Sequence, residues 1–331
     1  MKELYNVSAA PHVRSGVTTA SIMRDVAIAL MPACIFGVYR FGFRAFLVLM
    51  TAVAGAVVSE FLWKKLMKRP KTPYECSALV TGLLIGMNLP ASVPLWMPLV
   101  GSVFAIIVVK EMFGGLGQNF MNPALAARVF LTICFAGRMT DFAVSKGAGG
   151  FMYGAAALDG VSSATPLAVV KSLESTAVVS ENVSILDMFF GFTGGVIGET
   201  SSLLLILGAL YLLARRVITL RIPLSYLLTV VVFVIAFFGR GFDIELIAAE
   251  LFGGGLMLGA FFMATDYVTS PITPRGQIIY GICLGLLTGL IRLAGNSAEG
   301  VSYAIIFGNL LVPLIEKYTI PKPFGRERVR K

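Results

Sequence analysis

The chain has 331 residues, of which 57% are hydrophobic and only 14% are charged, and its mean hydropathy is +0.84. Soluble proteins carry a charge on about a quarter of their residues, so this composition excludes an ordinary soluble domain and indicates an integral membrane protein in a lipid bilayer. The net charge of +9 does not indicate nucleic-acid binding. The Lys and Arg residues flank apolar segments and do not form one basic face.

Apolar segments close to the roughly 20 residues that cross a bilayer recur along the chain and end at Gly, Pro or charged clusters. The sequence therefore predicts an all-α integral membrane protein with about ten transmembrane helices. The predicted spans are 22–39, 43–63, 77–92, 94–110, 123–138, 192–214, 222–239, 246–265, 276–294 and 300–316.

The basic residues predict the orientation of these spans. With a cytoplasmic N-terminus, most Lys and Arg residues fall on the inner side, including the groups at 64–71, 215–221 and 317–331. Positive charge concentrates in cytoplasmic loops, so both termini are predicted to be cytoplasmic. The longest connection, 139–191, then lies outside, and its apolar residues predict that it docks on the membrane part.

The glycine-rich stretch 114–119 follows the fourth predicted span and leads to Asn122-Pro123-Ala124. A dinucleotide fingerprint needs a preceding strand, and an apolar helix precedes this stretch, so we reject that interpretation. Aquaporins use two Asn-Pro-Ala triplets on half-helices, and the second half of this chain has none.

Residues 159–166 form a small hydroxyl-rich stretch within the long outer loop: Asp159, Gly160, Val161, Ser162, Ser163, Ala164, Thr165 and Pro166. Thr165 followed by Pro166 is typical of a helix N-terminus, and a short helix is predicted from Pro166 to Glu174. The stretch is equally compatible with a cofactor site.

The outer loop divides five predicted spans from five, and an odd number of spans per half makes the halves inverted relative to each other. Each half contains a short apolar span followed by a glycine-rich or hydroxyl-rich break, which is typical of transport proteins. The predicted divisions are a first five-helix repeat at 1–138, an external loop at 139–191, a second five-helix repeat at 192–316, and a basic cytoplasmic tail at 317–331.

Ionisable residues inside or close to the apolar segments are functional candidates, because a charge at the bilayer centre costs several kcal/mol unless it is paired or hydrated. The alternative is an interfacial position: Arg24 and Asp25 would start the first helix, and Glu60 would pair with Lys64 one turn on. Glu111, Glu199 and Asp266 are the predicted ion-path residues, since each adjoins a predicted helix break. The full set is Asp25, Glu60, Glu111, Arg128, Glu199, Glu250 and Asp266.

The four cysteines, Cys34, Cys76, Cys134 and Cys283, are scattered and show no C-x-x-C spacing. No metal site is predicted within the chain, and an iron-sulfur cluster shared with another subunit remains open.

Several motifs together carry a family resemblance: 114–124, 159–167, 197–201, 262–266 with 269–271, 296–304 and 309–313. Their combination resembles the D subunit of the Rnf electron-transport complex, and the B subunit of the sodium-pumping NADH:quinone oxidoreductase represents a related family. The resemblance covers almost the whole chain. It implies two inverted five-helix repeats, a fold similar to urea transporters, in a bacterial cytoplasmic membrane.

The resemblance also implies cofactors. An FMN would be joined through its phosphate to Thr165, the last residue of a motif matched here by Ser162, Ser163 and Ala164, with Ser163 standing where glycine is usual. Asp159 and Gly160 would complete the FMN loop. A phosphate ester suits a helix N-terminus, where free amides favour anions. A non-covalent riboflavin would lie near Gly115, Gly117 and Asn119.

The leading hypothesis is a membrane flavoprotein subunit of an Rnf-type complex that couples electron transfer between ferredoxin and NAD to Na⁺ or H⁺ translocation. The resemblance implies other Rnf-type subunits as partners, especially the external G subunit, which carries its own FMN. The NAD and ferredoxin sites would lie on partners. Two alternatives remain: a urea-transporter-like solute channel without redox activity, and a scaffold subunit that has lost its flavin.

Overall fold

The computed structural model describes residues 16–68, 76–142, 166–172, 184–199, 201–295 and 300–321, and this part of the chain is helical, with connecting loops and no β-strand. The first half contains α1 (Thr19–Phe41), α2 (Phe43–Leu66), α3 (Ser77–Met87), α4 (Trp96–Val103, which continues as a π-helix over Phe104–Glu111), α5 (Pro123–Cys134) and α6 (Ala136–Met139). Next come α7 (Pro166–Ser172), α8 (Ile185–Phe190) and a 3-10 turn, Ile197–Glu199. The second half contains α9 (Ser202–Ala214), α10 (Arg221–Phe237), α11 (Ile244–Phe252), α12 (Leu256–Leu258, continued by a π-helix over Gly259–Met263), α13 (Pro274–Ala294) and α14 (Val301–Thr319).

The helices begin where short polar side chains bind free backbone amides. Thr18 and Ser21 form a capping box at the start of α1, so this helix begins before Arg24 and Asp25. The alternative in which Arg24 and Asp25 start the first helix is therefore wrong. Asn122 caps α5, which has Pro123 at its first position.

Two of the predicted spans are interrupted: α3 is shorter than predicted, and α11 is bent away from the segment that follows it. Helix α3 has 11 residues and stops at Asn88, ahead of Pro90, so its length of about 16 Å is roughly half the hydrocarbon thickness of a bilayer. Helix α11 and the segment Leu256–Met263 are bent by 63° at the run of three glycines, 253–255. Gly254 has a φ of +61°, which glycine adopts without steric cost.

Four helices of the described residues, α1, α2, α13 and α14, are long and apolar enough to cross a bilayer, and the bent pair would make a fifth. Helices α3, α5, α9 and α10 are apolar but shorter. The chain is thus a multi-pass membrane protein. The count of ten spans and the inverted repeat remain predictions.

The two halves meet through small residues. Helix α1 packs on α9, and α5 packs on α14. A Cβ on Gly208 of α9 would lie only 2.3 Å from the Ala29 carbonyl oxygen of α1, so this contact requires glycine. Helices α1 and α9 are therefore in direct backbone contact.

The described part of the connection 139–191 packs on helices of the second half, in agreement with the predicted docking on the membrane part. Helix α7 covers Pro166–Ser172 and packs on α11, while α8 packs on α9 and α11. Leu167 and Val170 are buried, and Leu167 reaches the bend at Gly253. The predicted helix after Thr165 is confirmed, whereas the proposed capping by Thr165 lies outside the described residues.

Candidate functional site

A cavity of about 90 Å³ lies between the two halves. Its walls come from α1, α3, the start of α5, the end of α9 and residues 261–268. Apolar side chains such as Leu84 and Phe262 form most of the surface. The polar residues that line it are Ser77, Thr81, Lys110, Asn119, Asn122, Thr265, Asp266 and Tyr267.

Lys110 is the buried cation of this cavity. Its side chain is 2% exposed, and its Nζ lies 3.0 Å from Glu60 Oε1 and 2.7 Å from Ser77 Oγ. Glu60 also pairs with Lys64 at 2.9 Å, so the predicted Glu60–Lys64 pair is confirmed. Lys110 was not among the predicted candidates.

Asp266 faces the same cavity just after the bent segment. Its carboxylate accepts hydrogen bonds from the Val268 amide at 3.4 Å and the Thr269 hydroxyl at 3.2 Å. Loss of hydration raises the pKa of this carboxyl above its ordinary value, and the two hydrogen bonds oppose that shift. Asp266 therefore takes up a proton at a higher pH than an aspartate in water does.

Asn122 joins the two halves at the cavity wall. Its side-chain oxygen caps the amides of Ala124 and Leu125, and its Nδ2 donates to the Met263 carbonyl at 3.3 Å. Helix α5 therefore starts against the π-helical segment of the second half.

A second group of buried charged residues, Arg128 and Glu199, lies where α3 ends and α12 begins. Arg128 NH2 lies 3.2 Å from Glu199 Oε1, and Arg128 NH1 donates to Asn88 Oδ1 at 2.7 Å. The two charged side chains are only 8% and 6% exposed. A Cβ on Gly255 would lie 2.8 Å from Glu199 Oε1, so the carboxylate occupies space that only a glycine leaves open.

Two further ion pairs connect spans. Arg292 NH1 lies 2.8 Å from Glu250 Oε2, and Arg292 NH2 donates to the Gly253 carbonyl at 3.1 Å, so this pair braces the bend. Asp25 accepts from Tyr211 at 3.1 Å and pairs with Arg215 at 3.3 Å. Asp25 is thus a tertiary contact between α1 and α9.

Glu111 ends the π-helix after α4 and is 1% exposed. A Cβ on Gly115 would lie 3.6 Å from its carboxylate, so the glycine-rich stretch folds over this side chain. Gly114, Gly115 and Gly117 all have positive φ, which explains why glycines occupy this turn.

The predicted ion-path residues lie in three environments: Glu111 under the glycine-rich turn, Glu199 beside Arg128, and Asp266 at the cavity. No three His, Cys, Asp or Glu side chains among the described residues come together as a metal site would require. Asn119 lines the cavity, whereas Gly115 and Gly117 shape the turn beside it. The FMN-loop residues Asp159, Gly160, Ser162, Ser163, Ala164 and Thr165 lie outside the described residues.

Sequence reasoning missed the partners of these buried charges, above all Asn88 and Lys110. The available signal was Arg128 itself, because an arginine inside an apolar segment needs acceptors.

Comparison with known proteins matches residues 6–325 to the NQR2, RnfD, RnfE family. The chain belongs to this family. It is 45% identical to the D subunit of a Na⁺-translocating ferredoxin:NAD⁺ oxidoreductase complex from Acetobacterium woodii, covering 100% of this chain and 99% of the relative. It is 40% identical to the D subunit of a proton-translocating ferredoxin:NAD⁺ oxidoreductase complex from Clostridium ljungdahlii, covering 99% and 98%.

A third relative extends the pattern. The D subunit of an ion-translocating oxidoreductase complex from Stutzerimonas stutzeri is 39% identical, with 95% of this chain and 94% of the relative covered. The resemblance to the D subunit of the Rnf complex that the motifs predicted is therefore confirmed. The family match spans the whole membrane part, including the cavity and the Arg128–Glu199 pair.

Proposed function

We propose that this chain is a membrane subunit of an Rnf-type complex, which couples electron transfer between ferredoxin and NAD to the translocation of Na⁺ or H⁺. The observation that carries the proposal is family membership over nearly the full length of relatives so named. The other subunits, including the external G subunit, would supply the ferredoxin and NAD sites and further redox centres.

The chain's own redox role would be to hold an FMN through a phosphate ester on Thr165. Pro166 starts α7 directly after this threonine, and the buried Leu167 and Val170 anchor the helix on α11. An FMN bound there would accept and pass on electrons. The helix would hold the attachment residue in place against the second half.

Topology agrees with this role. The distribution of basic residues favours cytoplasmic termini, and with that orientation Thr165 would lie on the outer side of a bacterial cytoplasmic membrane. The cross-half pairs, α1 with α9 and α5 with α14, are the pairs that two inverted five-helix repeats would bring together. We therefore retain ten spans, in a fold similar to urea transporters, as part of the proposal.

The covalent flavin is tested by in-gel fluorescence of the denatured protein from a host that has the flavin transferase. Wild-type protein is expected to fluoresce, and Thr165→Val is expected to be dark. Ser163→Gly, which supplies the usual motif residue, serves as the matched variant and should keep the signal. A colourless wild-type band would favour a channel or a flavin-free scaffold, and fluorescence in Thr165→Val would place the attachment on another residue.

A riboflavin is proposed at the inner cavity, where the Asn119 amide and the aromatic rings of Phe261 and Phe262 line the wall. The enclosed volume is below the roughly 300 to 1,000 Å³ of ligand pockets, so the enclosed part accommodates only a portion of the flavin. Release of a flavin from Thr165→Val protein by denaturation would support this site. No released flavin from an assembled complex would contradict it.

A further inference from the structure

Two buried Arg–Glu pairs of similar exposure have different surroundings. The Arg292 guanidinium binds backbone carbonyls of Glu250 and Gly253 as well as the Glu250 carboxylate, so it closes the end of α11. The Arg128 guanidinium bridges two side-chain oxygens. Asn88 Oδ1 belongs to the first half, and Glu199 Oε1 belongs to the 3-10 turn that precedes α9.

The Arg128 bridge lies next to the wall of the cavity. Leu84, Ala124 and Phe262 line the cavity. Asn88 lies one helical turn after Leu84, and Arg128 lies one turn after Ala124. Met263 directly follows Phe262. Asn88 contacts both the Leu84 carbonyl and the Met263 sulfur. The bridge therefore lies one layer of side chains behind the cavity wall.

Next to the bridge the backbone is tightly packed. The Ile197 amide donates to the Leu89 carbonyl at 3.1 Å, and a Cβ on Gly198 would lie 2.7 Å from Met87 Cβ. A Cβ on Gly37 of α1 would likewise lie 2.7 Å from the Ile197 carbonyl oxygen. An ion that passed the cavity wall would meet the Asn88 and Glu199 oxygens, with this tightly packed backbone beside them.

We propose that Glu199 Oε1 and Asn88 Oδ1 form the binding site of the transported monovalent cation, and that Arg128 occupies this site in the present state as a tethered competitor. Amide and carboxylate oxygens are ligands for hard cations, and the carboxylate also accepts a proton. A buried carboxylate needs one compensating charge, which either Arg128 or the incoming cation supplies. This inference rests on the proposed ion translocation.

Competition makes a prediction that a merely structural ion pair does not make. The apparent affinity of a site is reduced by the fraction of molecules in which it is available. If Arg128 holds the site in about nine molecules of ten, removing its charge lowers the half-saturating cation concentration about tenfold. Removal of the Arg128 charge should lower the half-saturating concentration for Na⁺ and for H⁺ alike, because both are cations that compete with the guanidinium.

The test uses the whole complex in proteoliposomes, driven by reduced ferredoxin and NAD. Initial cation uptake per electron transferred is measured against Na⁺ concentration at fixed pH, and against pH at low Na⁺. In Arg128→Gln we expect either the half-saturating Na⁺ concentration to fall about tenfold or the pH midpoint to rise by about one unit. The arm that responds identifies the cation. Glu199→Gln should abolish saturable uptake.

Arg292→Gln is the matched control, since it breaks an equally buried pair and should leave the half-saturating concentration unchanged. Arg128→Lys keeps the buried charge if the glutamine variant fails to assemble. A lysine ammonium lacks the planar fork that bridges both oxygens, so we expect a smaller shift in the same direction.

An unchanged half-saturating concentration in the assembled Arg128 variants, or an equal shift in Arg292→Gln, would overturn the inference. Absence of uptake by the wild-type complex would instead contradict the proposed function.

Discussion

The contact between Gly208 and Ala29 holds the two halves together, and Gly208→Ala is expected to weaken it. The added Cβ would lie 2.3 Å from the Ala29 carbonyl oxygen and 3.1 Å from the Phe262 ring. Ordinary contacts of a methyl group begin near 3.4 Å, so α1 and α9 must separate by about 1 Å. The carbonyl belongs to the α1 backbone and cannot rotate away as a side chain can.

Overpacking of this kind costs about 1 to 3 kcal/mol. With an unfolding entropy of about 2 cal/mol/K per residue, a chain of 331 residues should lose about 1 to 4 °C in Tm. The assay is thermal unfolding of the detergent-solubilised protein followed by tryptophan fluorescence. Gly208→Val should have a larger effect, because it adds a branched side chain to the same contact.

Gly137→Ala is the matched control, because Gly137 lies in helix α6 with no atom within 4 Å of an added Cβ. This control should leave the Tm unchanged or slightly raised, since alanine restricts the unfolded chain. A Tm of Gly208→Ala equal to that of the control would refute the close contact between the halves.

Three further substitutions test other contacts. Asn122→Ala removes a helix cap and the bond to Met263, and should cost about 2 kcal/mol in thermal unfolding, whereas an unchanged Tm would contradict the bridging role. Arg292→Met leaves the Glu250 carboxylate buried without its guanidinium and should lower the free energy of unfolding by about 3 to 5 kcal/mol. Glu250→Met added to the same chain should restore most of this stability, and no recovery would contradict the pairing. Leu167→Ala removes one of the two buried anchors of α7, so trypsin should cleave faster after Lys171 than in wild type. Val169 is only half-buried, so Val169→Ala should change this rate less, and equal rates in the two variants would contradict the anchoring role of Leu167.

The local features of the fold could be predicted from the sequence because neighbouring residues determine them. Pro166 begins a helix because it has no amide to lose, and the bend at 253–255 follows a run of three glycines. The lengths of the helices could be predicted less well from the sequence. The span predicted over 77–92 is helical only to Met87, because the Asn88 side chain binds the Leu84 carbonyl and Arg128 where the helix ends.

The long-range partners of the buried charges could not be predicted, because they are distant in sequence, whereas the local pair of Glu60 with Lys64 could. Glu199 lies 71 positions from Arg128, and Arg215 lies 190 positions from Asp25. Apolar periodicity shows that an ionisable residue lies within a span, but only packing between spans determines its partner. The sequence alone predicts a first span from residue 22 and leaves a helix start at Arg24 and Asp25 as the alternative, since these charged residues are also typical of a membrane boundary.

The central claim is that Thr165 carries FMN, and mass spectrometry of one tryptic peptide tests it most directly. Cleavage after Lys146 and Lys171 releases 147–171, which contains Thr165 together with Ser162 and Ser163. From a host that has the flavin transferase, this peptide should carry the mass of FMN less one water, with fragment ions that assign the addition to Thr165. An unmodified peptide, or an addition assigned to Ser162 or Ser163, would contradict the claim.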